Sequence, residues 1–219
     1  MLMQVIQDVA FPSDRPKLAR YFAADPFPTD GPLGPPWTAY TAGGAAVPSV
    51  TGGVLRLKSD TAAAVAHEWR TVTVSGNWET SVTLSTSTST LISGADDGRV
   101  GLTLQPESGG PGIHGGPYRT GLGNGTYLVF STWSAAGTVA QTGPNGPSRA
   151  ADLSKAPQIG HRFGIRFAGE SLYLTANGIN VSAALNAPAW VKAGGRIRFG
   201  IAATYGANVS VDDWQVTAE

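Results

Sequence analysis

From Trp37 onward, apolar and polar side chains alternate along this chain with a period of two. Leu55 and Leu57 alternate with Arg56 and Lys58, and Val72 and Val74 with Thr71 and Thr73. Trp78, Thr80, Val82 and Leu84 oppose Glu79, Ser81 and Thr83. Val100, Leu102 and Leu104 repeat the pattern. So do Phe163, Ile165 and Phe167 against Arg162 and Arg166, and Ile197, Phe199 and Ile201 against Arg196, Arg198 and Gly200. Successive side chains of a strand point to opposite sides, so each run is a strand with one face in a core and one facing out. No strand–helix alternation interrupts the series. The chain therefore reads as all-β, a sandwich of two antiparallel sheets, with roughly ten to thirteen strands at the spacing such folds use.

Local signals refine this reading. Asn177-Gly178 separates Leu172 and Leu174 from Ile179 and Val181, and Asn-Gly suits a hairpin turn in which both positions take positive φ. In the last strand Val209 and Val211 are odd, but Trp214 and Val216 are even, so a β-bulge is expected at Asp212-Asp213. Residues Ser13 to Ala23 have a helical look, with Leu18, Tyr21 and Phe22 on one face. A proline-rich stretch follows them. Residues 1–22 are accordingly assigned to an N-terminal arm or adaptor and 23–219 to the sandwich; an edge strand of the sandwich plus a surface turn is the alternative. The stretches 93–99, 108–125 and 143–157 resist strand assignment, and the second is long and glycine-rich, as functional loops often are.

Composition removes several functions. With 219 residues the chain can bury one large core. Its 15 basic and 15 acidic residues cancel, which argues against nucleic acid or an anionic membrane as partner. Charged residues make up 14%, below the roughly 25% of typical domains, while 29 Gly and 15 Pro punctuate turns. Cysteine is absent, so disulfides, thiolate metal sites and thiol nucleophiles are excluded. No apolar run reaches the roughly 20 residues of a membrane helix, so membrane insertion is not expected. Met1 to Phe11 carry no basic n-region, so a soluble product without a signal peptide is expected.

Residues 25–38 (DPFPTDGPLGPPWT) resemble the D-x-F-x-R-x-D-G-P-L-G-x-x-W opening of concanavalin-like domains in minor tail proteins of phages infecting actinobacteria. Pro28 and Thr29 alone separate Phe27 from Asp30, one residue fewer than that family uses, and its Arg is absent. Residues 209–216 (VSVDDWQV) resemble the closing strand of laminin-G-like jelly rolls, and 169–178 (GESLYLTANG) resemble their penultimate hairpin. The resemblance spans roughly 25–216 in the family's order. It implies a concanavalin-like jelly roll in a virion protein near the tail tip, with host-surface sugar binding as an associated role.

Candidate chemistry was sought against that background. The β-glucanases of this fold carry Glu-x-Asp-x-x-Glu on one strand, and retaining hydrolysis needs two carboxyl groups about 5–5.5 Å apart. The motif is missing here, so no catalytic residue is assigned and no enzyme activity is expected. Of three histidines, His67 and His161 are placed at strand edges in structural roles, and His114 in the glycine-rich loop beside Tyr118 and Arg119. Asp96 and Asp97 are candidate calcium ligands, with a plain turn as the alternative; no other cofactor is expected. Sugars stack on aromatic rings while polar groups orient them. Trp37, Trp69, Trp78 and Trp214 are expected to pack inside. Trp133 is the candidate exposed platform, and Trp190 is either exposed or a cap on the sandwich. The ligand-binding set is thus Trp133, Tyr118, His114, Arg119 and Trp190.

The functional expectation is a phage virion structural protein of the tail, made in the host cytoplasm, forming homo-oligomers with other tail proteins and contacting cell-surface glycans. A stand-alone bacterial carbohydrate-binding module is the alternative. A glycoside hydrolase with an unrecognised site is the third.

Overall fold

The computed structural model describes residues 20–59, 65–85, 99–119, 126–133, 139–140, 160–204 and 206–219. In chain order the first strands are β1 (Tyr21–Asp25), β2 (Thr38–Ala42), β3 (Ser49–Thr51), β4 (Val54–Lys58), β5 (Val65–Val74) and β6 (Trp78–Leu84). Then come β7 (Arg99–Pro106), β8 (Gly112–Arg119), β9 (Thr126–Trp133) and β10 (Val139–Ala140). The last part holds β11 (Arg162–Ala168), β12 (Ser171–Ala176), β13 (Ile179–Asn180), β14 (Leu185–Asn186), the one-turn helix α1 (Ala189–Lys192), β15 (Gly195–Thr204) and β16 (Asn208–Ala218).

The strands form two antiparallel sheets. A nine-stranded sheet runs β13-β12-β11-β6-β16-β4-β3, with β1 on β16 and β14 on β12, and a seven-stranded sheet runs β10-β9-β8-β7-β15-β5-β2. Their inner faces meet in one core in which Trp78, Trp214, Phe163, Phe199, Leu55, Leu57, Leu84, Leu102 and Leu104 are fully buried. These belong to the alternating runs of the sequence, so the expected all-β sandwich is the observed architecture.

The two local signals hold. Asn177 and Gly178 both take positive φ (49° and 76°) between β12 and β13. The β16–β6 register jumps between Asp212 and Gln215, with Asp213 at φ 49°, which is the bulge that flips parity.

Three expectations need correction. Tyr21–Asp25 is not helical but a strand on β16, with the Ala218 N–H donating to the Arg20 carbonyl at 2.8 Å. Tyr21 and Phe22, assigned to the arm, thus belong to the sandwich; residues 1–19 lie outside the described residues. Second, Gly112–Arg119 is strand β8, not loop. Its glycines serve close approach rather than turning: a Cβ on Gly112 would lie 2.1 Å from the Leu104 carbonyl oxygen, and one on Gly115 2.8 Å from the Leu174 side chain. The connection from β7 to β8 is residues 107–111, in which Gly109 and Gly110 take φ 81° and 105°. Third, His67 sits within β5, in the sheet interior, not at a strand edge.

The opening and closing motifs dock on each other. Asp25 accepts hydrogen bonds from the Phe27 N–H (2.8 Å) and from the Trp37 indole N–H (2.7 Å). Trp37 meets Trp214 edge-on at 4.9 Å, and Arg70 lies over both rings at 5.6 and 5.4 Å. Asp30 accepts from the Gly52 N–H at 2.8 Å. Asp25 and Asp30 of the opening motif thus have structural tasks, and beside Asp25 lies a surface pocket of about 220 Å³ lined by Pro28, Pro32, Leu33 and Pro36.

Candidate functional site

Direct pairing partners in antiparallel strands share a face. On β5, Ala66 and Val72 belong to the core, so His67, Trp69, Thr71 and Thr73 point outward. Following the register from Trp69 gives Gly200 on β15, then Thr103 on β7, His114 on β8 and Ser131 on β9. These residues form one row across the outer face of the seven-stranded sheet. The neighbouring rows bring Tyr40, His67 and Ala202 on one side, and Thr71, Arg198 and Gln105 on the other.

One end of this face is closed. His67 Nε2 and the Thr103 hydroxyl share a hydrogen bond of 2.8 Å. The His67 and Trp133 rings meet edge-on at 4.8 Å, and Trp133 stacks on His114 at 6.0 Å. Strands β5 and β9 are four places apart, about 19 Å in a flat sheet. Their rings nevertheless meet, so the two side chains reach toward each other over the intervening strands. Glycines make this possible: a Cβ on Gly200 would lie 2.4 Å from His67, and one on Gly101 2.8 Å from His114. Burial pushes the His67 imidazole down to a pKa of about 3, so it is neutral in the folded protein.

This placement overturns two site expectations. Trp133 is 0% exposed and is a packed member of a small cluster with Val65 and Ala202, not a platform. His114 is also 0% exposed and lies on a strand, not in a surface loop. The structure does bring these two together. The backbones of Tyr118 and Arg119 lie in β8; their side chains, and Asp96 and Asp97 altogether, fall outside the described residues. Trp190, half-buried on α1, packs against the main core at the sandwich margin rather than near Trp133. No cluster of three or more metal-binding side chains occurs among the described residues.

The other end of the face is open, and it holds residues that sequence reasoning passed over. Trp69 is half-buried on the outer side, not in the core, and the Arg198 guanidinium lies 4.4 Å over its ring. Tyr40, in the adjacent row, is 38% exposed. The signal was present in the alternation: counting back by twos from Thr73 and Thr71 reaches Trp69.

The outer face of the nine-stranded sheet has different chemistry. Glu79 accepts from Arg166 at 2.8 Å and from the Thr175 hydroxyl at 2.8 Å, and Arg166 also pairs with Glu219. Arg162 donates to Asp213 and to the Ser81 hydroxyl. Beneath the seven-stranded sheet, Glu68 pairs with Ile201 and faces the core, where burial pushes its carboxyl up to a pKa of about 7. Neither of its oxygens has a hydrogen-bond partner among the described residues.

No family model matches this chain. No curated protein matches it. Solved structures do. LamA of Zobellia galactanivorans, in complex with laminaritriose and laminaritetraose, superposes with a TM-score of 0.58 at 11% identity, covering 91% of this chain and 99% of that one. The CBM2 module of the evolved Dit of Lactobacillus casei BL23 phage J-1 gives 0.56 at 12% identity, over 91% and 95% of the two chains. The metal-free exoplasmic/lumenal domain of VIP36 gives 0.52 at 13% identity, over 92% and 94%. At such identities the likeness is one of fold, the concanavalin-like jelly roll.

Proposed function

We propose that this chain is a non-catalytic, glycan-binding jelly roll of a phage tail, and that it grips sugar on the open end of its seven-stranded outer face. The observation that carries the reading is Trp69: a half-buried indole on the outer side of a sheet, topped by Arg198 and flanked by exposed Tyr40. An aromatic surface edged by hydrogen-bond donors suits a saccharide, whose C–H faces stack while its hydroxyls are fixed by polar groups. The likeness to the phage J-1 Dit module and the opening motif at residues 25–37 support the tail setting. In that setting the chain assembles with copies of itself and with other tail proteins in the virion. Among the described residues no helix is long and apolar enough to cross a membrane.

A glycan array on the isolated protein, run beside Trp69→Ala, tests the binding surface. Binding that disappears in the variant and persists in EDTA is the expected result. Binding equal in both proteins would move the site elsewhere, and silence of the wild type would remove the glycan reading. Labelling purified particles with an antibody to this chain tests the setting; particles that lack it would remove the tail assignment.

A further inference from the structure

We infer that the glycan taken by this face is acidic, carrying a carboxylate or sulfate that the Arg198 guanidinium receives. The inference rests on the glycan reading above and names the chemical class of its ligand. Arg162, Arg166 and Arg196 each sit against a carboxylate of the chain itself: Asp213, Glu79 with Glu219, and Glu107 respectively. Among the described residues Arg198 has no such partner; it lies over the ring of Trp69, and its buried Nε has no hydrogen-bond acceptor there. With its Cζ 4.4 Å over the indole, the guanidinium has the ring on one side and its terminal N–H groups for a ligand. That planar fork matches the two oxygens of a carboxylate or sulfate.

The surroundings agree. Arg198 lies on β15, with Thr71 directly beside it on β5 and Gln105 on β7, so uncharged polar side chains flank the cation on both sides. No carboxylate of the described pairing rows competes for it. The whole chain has zero formal net charge, so an anionic ligand is favoured at this one point and not by the overall field.

Three probes of equal length separate the possibilities: an oligogalacturonate, its fully methyl-esterified form, and a sulfated galactan oligosaccharide. Titration calorimetry is expected to show at least about tenfold tighter binding of one or both charged probes over the ester, weakening as NaCl rises from 50 to 500 mM. The charged probe that wins tells carboxylate from sulfate. Arg198→Gln should erase the preference and Arg198→Lys restore only part of it, because the lysine keeps charge without the fork. Unchanged circular dichroism and melting temperature certify that the variants fold.

If the ester binds as tightly as the acids, or Arg198→Gln keeps the preference, the acidic-ligand inference fails while Trp69-dependent binding leaves the glycan reading standing. No binding of any probe, together with a silent array, removes both.

Discussion

The two outer faces of this sandwich solve the problem of polar side chains on a sheet in opposite ways. On the nine-stranded sheet, charges are paired: Arg166 with Glu79 and Glu219, Arg162 with Asp213. Gly164 leaves the room for this, since a Cβ there would lie 2.7 Å from the Glu79 carboxylate. On that face each of these arginines has a carboxylate of the chain itself beside it. On the seven-stranded sheet the buried end packs His67, His114 and Trp133 ring to ring, and the open end presents Arg198 with no carboxylate against it among the described residues. The proposed binding surface is thus the one on which a cation beside an aromatic ring has no carboxylate of the described residues to pair with.

The contrast can be broken most strongly at Trp133. Trp133→Ala should cost about 3–5 kcal/mol in urea denaturation, as removal of a large buried aromatic does; a cost under about 1 kcal/mol would mean that the cluster is not a packing unit. Gly200→Ala comes next, at about 2–3 kcal/mol, because the new methyl meets His67 and the Glu68 carbonyl at 2.4 and 2.7 Å. Loss of the near-ultraviolet dichroism of Trp133 should accompany it.

On the paired face, Glu79→Gln should cost about 1–2 kcal/mol, since Arg166 retains Glu219. A double-mutant cycle with Thr175→Val measures how far the network is coupled. A coupling of zero would reduce that face to independent surface pairs.

The smallest changes at pH 7 are those of His67 and Glu68, whose signature is a pH profile. His67 has its folded pKa near 3 against an ordinary 6.5, so the unfolded chain takes up the proton first. Its contribution is complete above pH 6.5 and lost as pH falls from 6.5 toward 3. Glu68 acts in reverse. With a folded pKa of about 7 against 4.5, it favours the folded state fully below pH 4.5 and loses that contribution as pH rises from 4.5 to 7. Thermal melts from pH 4 to 8 should therefore show a shallower acid limb for His67→Gln and a shallower decline toward neutrality for Glu68→Gln. Profiles parallel to wild type would contradict both burials.

Much of the fold was legible in the sequence. Asn177-Gly178 and the parity flip at Asp212-Asp213 announced a turn and a bulge because both are local backbone events. The glycines of β8 misled for a physical reason: the neighbouring strand presses on Gly112 and the facing sheet's Leu174 and Ile165 on Gly115, and composition alone cannot separate that use from a loop. Tyr21–Asp25 misled likewise, since Tyr21 and Phe22 suit either a helix face or a strand, and its pairing with β16 settled the matter.

By itself, the alternation determined the strands of the core runs and which of their side chains face inward, because the direction of a Cβ depends only on the residue's own strand. It could not say which outward residues are exposed. Trp133 and His114 are sealed, while Trp69 lies open, because β15 inserts between β5 and β7 and brings Arg198 and Gly200 from far along the chain. Strand order is a long-range property, and the candidate site is a product of it.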